Sequence, residues 1–295
     1  MILQKYQVLG NDFLIFDCIN FENNAKFLPN KEFQQFVVKK SDRRRLGCDQ
    51  FIVMENSTKA DAKIVFYNSD GSKAEACGNG SVASGVYASG FLGKNNIVLE
   101  TDSSLANIKV DGQKATIELP MPKVVELSER ENREITNEIG NKINDIDNPC
   151  SIMSVNVGNP HCVLEFTPSL NLHYHSPDFF KRNFSSWQGI GQEIENMTHI
   201  FPHKTNVEFV REINENAFDV FVWERGAGRT FACGTGACAV AFAMVKQGLA
   251  SSTKPVEIYM EGSKIYGKGE PIIINFGENS VFLTNHASFE GKIEV

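Results

Sequence analysis

A mixed fold of short strands and two buried helices, laid out twice along the chain, is what the sequence predicts, and three observations predict it. The first is a series of alternating apolar segments at 63–67, 97–101, 115–119, 217–223 and 271–276, each bounded by Gly, Asn, Asp or Pro as short strands are. The second is a pair of segments, 81–90 and 237–248, that are apolar nearly all round and rich in small residues, the pattern of a buried helix. The third is repetition. Ala76-Cys77-Gly78-Asn79-Gly80 and Ala232-Cys233-Gly234-Thr235-Gly236 are near copies, each just before one of those helices. Gly10-Asn11-Asp12-Phe13 and Gly158-Asn159-Pro160-His161 form a second pair, each leading into an apolar run. Similar blocks recurring in the same order, 156 and 148 residues apart, mark a duplicated chain.

The remaining segments are weaker. The stretch 126–148 is charge-dense, holds few apolar residues and follows Pro120 and Pro122, so it reads as a surface excursion near the junction of the halves. The segment 173–189 mixes aromatic with polar residues and reads as an irregular insertion. The halves are therefore taken as 1–120 and 121–278, with 279–295 read as a segment able to return to the first half.

Bulk composition narrows the function. The chain has 295 residues, enough for two domains, and its 42% hydrophobic content supports a sizeable core. A net charge of −7, with both signs mixed along the chain, gives no basic stripe to neutralise a phosphate backbone, so nucleic acid is excluded and a small polar ligand expected. The first segment has Lys5, Asn11 and Asp12 inside it, unlike a signal peptide, and no run approaches the roughly 18 apolar residues of a membrane span. A cytoplasmic protein without a membrane partner is expected. Seven cysteines (Cys18, Cys48, Cys77, Cys150, Cys162, Cys233, Cys238) lack CxxC or Cys/His ligand spacing, so neither a disulfide scaffold nor a metal site is indicated.

Their value is as thiols. A cysteine at a helix start meets unpaired backbone N–H groups and the positive end of the helix dipole, which can lower its pKa from about 8.5 to between roughly 3.5 and 7.5. Gly78, Gly80, Gly234 and Gly236 let the backbone approach a ligand, so the same amides can hold a carboxylate. Two such elements facing one carbon suit stereoinversion, in which one group removes a proton from one face and another delivers one to the opposite face. Hydrogen bonds to the carboxylate stabilise the enolate-like charge that develops. No pyridoxal phosphate site is recognisable, so a cofactor-free reaction is expected. Cys18, Cys48, Cys150, Cys162 and Cys238 have no such setting and are assigned to packing. Taken singly, Asn11, Asn68, Asn159 and Asn206 are equally turn residues, His161 a satisfied core histidine, and Glu224-Arg225 a surface ion pair.

Five blocks together resemble the diaminopimelate epimerase family: LGNDF at 9–13, YNSDGSKAEACGNG at 67–80, VGNPHCV at 157–163, TNVEFV at 205–210 and WERGAGRTFACGTGACA at 223–239. The resemblance spans nearly the whole chain. It implies an α+β fold of two pseudo-symmetric domains, each a curved, mainly antiparallel sheet around a central helix. It implies cofactor-independent interconversion of L,L- and meso-2,6-diaminopimelate, on the route to lysine and peptidoglycan, by a homodimer. Cys77 and Cys233 would exchange the α-proton, with His161 and Glu224 orienting the amino group and adjusting the thiols. The backbone of Gly78-Asn79 and Gly234-Thr235 would bind the reacting carboxylate. Asn68, Asn159, Asn206 and Arg225 would hold the distal end, and Asn11 and Gln50 would complete the site. The chain departs from the family at Gln7-Val8, where His-Gly is usual, and at Val82, where an arginine is frequent.

Two rivals follow from the same thiols. One is a two-thiol racemase for histidine or proline, which Arg225 and the asparagines disfavour because a second zwitterion would be needed to satisfy them. The other is a non-catalytic binding or redox module using the cysteine pair as a switch.

Overall fold

The computed structural model describes residues 2–19, 31–44, 46–74, 77–102, 104–142, 151–166, 184–266 and 269–294. The chain divides into two compact units, Met1–Glu118 with Thr284–Val295, and Leu119–Leu283.

In the first unit, strands β1 (Ile2–Val8) and β2 (Asn11–Asp17) form an antiparallel hairpin in which Val8 faces Asn11. The two linking residues, Leu9 and Gly10, both have positive φ (49° and 93°), the backbone that a tight hairpin turn demands. Then come α1 (Lys31–Ser41), β3 (Gln50–Glu55), β4 (Ala62–Asn68), α2 (Gly78–Leu92), β5 (Asn96–Glu100), β6 (Leu105–Asp111) and β7 (Lys114–Pro120). Pairing runs β1–β2 antiparallel, β2–β3 parallel, β3–β4 antiparallel, β4–β5 parallel and β5–β6–β7 antiparallel. Phe13, Leu14, Ile15 and Phe16 of β2 are all buried, because helices cover both faces of the strand. Leu14 and Phe16 join Phe33 and Val37 of α1 in one cluster. Phe13 and Phe66 lie on the opposite face, against Gly80 of α2.

Helix α2 touches every strand from β1 to β6, which explains why its sequence is apolar all round. A Cβ on Gly80 would stand 2.5 Å from Phe66, whose ring is itself packed. Gly80→Ala is therefore expected to destabilise the protein by about 1–3 kcal/mol, read as a lowered melting temperature.

The second unit opens with β8 (Lys123–Val125), α3 (Glu129–Lys142), β9 (Ser151–Asn156) and β10 (Pro160–Glu165). It continues through α4 (Phe184–Glu195), β11 (Asn206–Asn214), β12 (Ala217–Glu224), β13 (Gly228–Thr230), α5 (Gly234–Lys246), β14 (Val256–Met260), α6 (Glu261–Ile265) and β15 (Ile272–Phe276). The series of the first unit returns: β9–β10 antiparallel, β10–β11 parallel, β11–β12 antiparallel, β12–β14 parallel, β14–β15 antiparallel. Helix α5 takes the place of α2 and touches β9, β10, β11, β14 and β15. Beyond β16 (Ser280–His286), β17 (Ser288–Glu294) pairs with β1 inside the first unit. This is the α+β duplication expected, with parallel joints in each mainly antiparallel sheet.

Three expectations need correction. Helices α2 and α5 begin at Gly78 and Gly234 rather than at 81 and 237, because Cys77 and Cys233 hold the extended backbone of an N-cap and the Gly-x-Gly forms the first turn. The stretch 126–148 contains α3, begun by a capping box in which Ser128 and Glu131 bond each other's side chains and amides. Ile135 and Ile139 of α3 are buried in the core, so it is a packed helix; residues 143–148 lie outside the described residues. Of 173–189, the part from 184 on belongs to α4, and 173–183 lies outside the described residues, as does Cys150. Trp187, Ile190 and Ile194 of α4 recur at helical spacing and are fully buried, a stripe that the intervening Gly189 and Gly191 obscure. Gly191 is needed, since a Cβ there would meet Trp223 at 2.6 Å. No helix among the described residues is long and apolar enough to cross a membrane.

Candidate functional site

In the first unit the candidate residues gather at the start of α2. Cys77, half-buried, caps the helix without a side-chain cap bond. The amides that follow it have no acceptor within the helix, as in any first turn. Asn79 is buried and held from two sides: its Nδ2 donates to Asn11 Oδ1 at 2.6 Å and its Oδ1 accepts from Asn285 Nδ2 at 3.2 Å. Asn11 begins β2 immediately after the hairpin turn. Gln50 and Asn68 face each other across β3 and β4. The Asn68 amide closes a turn, with Nδ2 donating to Ser72 Oγ at 3.1 Å, whereas Gln50 Oε1 is buried with no hydrogen-bond partner among the described residues.

In the second unit the site is assembled by strand alternation. Cys162, Leu164, Val207, Phe209, Phe221 and Trp223 pack toward α3 and α4. The alternate positions, His161, Asn206, Glu208 and Glu224, lie on the opposite face of the sheet, with α5. His161 and Glu208 are fully buried, and His161 Nδ1 lies 2.6 Å from Glu208 Oε1. His161 Nε2 lies 3.0 Å from Asn159 Oδ1, and Asn159 Nδ2 donates to Thr235 Oγ1 at 3.3 Å. The Cys233 sulfur accepts from the Gly236 amide at 3.3 Å and lies 3.4 Å from Thr235 Oγ1. Met260 Sδ accepts the Cys233 amide proton.

The loop after β12 is pinned. Asn206 Oδ1 accepts from the Arg225 amide at 2.9 Å while its Nδ2 donates to Pro160 O at 2.8 Å, so this carboxamide fastens the loop. Glu195 of α4 accepts from Trp223 Nε1 at 2.7 Å and from the Gly226 amide at 3.0 Å, one bond on each side of Glu224-Arg225. Glu224 accepts from the Thr230 hydroxyl, and Arg225 Nη1 donates to His203 O at 3.1 Å. Glu224 and Arg225 thus stand in a fixed hairpin.

The electrostatics oppose one expectation. Burial, followed by the charges of Glu224 and Glu208, pushes the Cys233 thiol well above its ordinary pKa, and the bonds from Thr235 and Gly236 only partly oppose this. Burial likewise raises the Glu224 carboxyl, partly offset by Thr230 and His161. Desolvation and two carboxylates thus oppose the helix N-terminus at this sulfur. The glycines also have a second reason: at Gly80 and Gly236 a Cβ would collide with Phe66 and with Glu208 Oε1 (2.8 Å), so these positions keep room for the protein's own side chains.

Sequence reasoning missed Glu208, Glu195 and Asn285. Only Glu208 carried a signal, since it stands two residues after Asn206 in one strand and so shares its face. Asn285 and Glu195 reach the site from distant segments.

Comparison with known proteins identifies the family. The family described as diaminopimelate epimerase matches residues 4–126 and 153–281. A diaminopimelate epimerase of Pelagibacter ubique is 35% identical over 265 residues, covering 87% of each chain. One from Methanococcus maripaludis is 34% identical over 314 residues and covers 100% of each. Among solved structures, a PhzF-family phenazine biosynthesis protein of Bacillus anthracis covers 100% of this chain and 98% of its own with a TM-score of 0.70. At 14% identity that likeness shows a shared fold alone. The chain belongs to the diaminopimelate epimerase family.

Proposed function

We propose that the chain interconverts L,L- and meso-2,6-diaminopimelate without a cofactor, moving the α-proton between Cys77 and Cys233, in lysine and peptidoglycan precursor biosynthesis. The observation that carries this reading is the repetition of one device in a member of this family: a cysteine that caps a buried helix, in each of two units of matching topology. Inversion needs an acceptor and a donor on opposite faces of the carbon, and two thiols serve both directions by exchanging roles. The first-turn amides at Gly78-Asn79 and Gly234-Thr235 bind the reacting carboxylate and stabilise its enolate-like charge. Glu224 and His161 orient the amino group and tune the thiols. Asn11, Gln50, Asn68, Asn159, Asn206 and Arg225 recognise the rest of the substrate. The protein acts as a cytoplasmic homodimer.

The test of substrate is chiral chromatography after incubating the reduced protein with L,L-diaminopimelate, L-histidine and L-proline separately. Conversion of diaminopimelate alone supports the reading. Inversion of another amino acid moves the substrate, and no inversion at all favours a binding or redox module. If Arg225 grips the distal carboxylate, Arg225→Ala raises KM by roughly 10–100-fold with a smaller change in kcat, since a hydrogen bond to a charged group contributes about 1.5–3 kcal/mol. Steady-state kinetics in both directions check this.

A further inference from the structure

One unbroken hydrogen-bonded series in the second unit ends on the Cys233 sulfur. Glu208 Oε1 lies 2.6 Å from His161 Nδ1, His161 Nε2 lies 3.0 Å from Asn159 Oδ1, and Asn159 Nδ2 lies 3.3 Å from Thr235 Oγ1. Thr235 Oγ1 lies 3.4 Å from Cys233 Sγ. At the far end, Glu208 is fully buried and its second oxygen, Oε2, has no hydrogen-bond partner among the described residues. A side chain at Gly236 would stand 2.8 Å from Glu208 Oε1 and 3.3 Å from Cys233 Sγ, so glycine there makes room for both ends of the series at once.

The donors in such a series cannot be chosen independently. A Thr235 hydroxyl that accepts from Asn159 Nδ2 directs its own proton to the sulfur. Asn159 offers Nδ2 to Thr235 only while its Oδ1 faces His161 Nε2, and Nε2 must then carry a proton. Nδ1 shares a second proton with the Glu208 carboxyl oxygen it faces. The observed orientation thus belongs to a His161–Glu208 pair that holds two protons between them. With a neutral His161 holding its one proton on Nδ1, the series runs the other way. Asn159 turns its amide over to donate to Nε2, its oxygen accepts from Thr235, and Thr235 accepts from the Cys233 S–H.

We propose that Glu208 is a positioning residue which, by holding the second proton on His161, sets whether Thr235 gives a hydrogen bond to the Cys233 sulfur or takes one from it. The first orientation suits a thiolate that removes a proton, and the second suits a thiol that returns one. The inference rests on the role proposed for Cys233. The charged or titratable groups that bear on this sulfur are Glu224 from β12, Glu208 from β11 and, through the series, His161 from β10. Direct repulsion by Glu208 and the relay through His161 act on the thiolate with opposite signs, which makes them separable.

The experiment places Glu208→Gln in a Cys77→Ala background and needs no substrate, so it stands or falls apart from the epimerase reading. The glutamine side chain has nearly the same shape and its amide oxygen can still accept from Nδ1, but it carries no charge to hold the second proton. Nitrogen-15 NMR, with His161 assigned through His161→Gln, is expected to show both ring nitrogens protonated near neutral pH before the change and Nδ1 alone after it. Alkylation of Cys233 by iodoacetamide, followed by peptide mass spectrometry, is expected to slow roughly tenfold, the ratio that one pKa unit gives. Loss of a neighbouring negative charge alone would speed alkylation, so an equal or faster rate overturns the proposal. So does an unchanged nitrogen spectrum. Thr235→Val supplies a second check: it is expected to slow alkylation by itself, and adding Glu208→Gln to it should give no further slowing, whereas additive slowing would show that Glu208 acts by another route.

Discussion

Cys77→Ala and Cys233→Ala are each expected to lower kcat for epimerisation by at least 10²–10⁴-fold, the order of magnitude that a positioned acid or base supplies. The two losses are not expected to add, because a single inversion uses both groups and removing either stops it. KM should change less than kcat, since carboxylate recognition is assigned to the backbone of each first turn, which the substitution leaves in place. Circular dichroism and thermal melts separate this from misfolding. Cys233 is buried, so its alanine variant leaves a small gap, whereas Cys77 is half-buried and its replacement costs little. A variant that melts like the parent yet retains most of its activity would remove that cysteine from the reaction.

The second large effect is a loss of stability in alkali. Burial raises the Cys48 thiol from 9.0 to about 11 and the Cys238 thiol to about 12, and raises those of Cys162 and Cys233 as well. A raised pKa means that the folded protein holds the proton more tightly than the unfolded chain. The resulting stability is complete below about pH 9 and is lost as pH climbs through the folded values. At about 1.4 kcal/mol per unit, Cys48 alone accounts for about 2 kcal/mol by pH 11. Denaturant midpoints between pH 8 and 11.5 should therefore fall steeply above 9, and Cys48→Ala should flatten the fall while lowering the plateau at pH 8 through lost packing. A flat profile across that range would show that these thiols ionise without unfolding the protein.

How much of this was legible beforehand depended on whether a residue's role was local. The capping cysteines stood out because Cys-Gly-x-Gly recurs before two small-residue helices, and the all-apolar pattern follows from each helix meeting several strands of its unit. The Gly10 and Gly158 repeats mark positions of positive φ, 93° and 102°, in the two corresponding turns. Helix α3 was hidden by its charge, although Ser128 and Glu131 are a readable capping box and Ile135 and Ile139 turn inward. Glu208 was passed over because an acid in a strand normally faces water; its burial depends on His161 in the neighbouring strand. Glu195 and Asn285 were beyond reach, since each joins the site from a remote segment and no spacing rule links them to Trp223 or Asn79. The opposition to ionisation at Cys233 was out of view for a related reason. The helix end is visible in sequence, but the carboxylates and the burial that oppose it are tertiary.

The central claim is that two thiols, not one, carry the proton, and the most direct test is a short incubation with L,L-diaminopimelate in D₂O, read by proton NMR and mass spectrometry before the first tenth of the reaction. If Cys77 and Cys233 act from opposite faces, the meso product carries deuterium at the inverted carbon from the first turnover while the remaining L,L substrate keeps its proton. Early meso product that retains the substrate's own hydrogen would mean that a single base picks up and returns one proton, and would contradict the account.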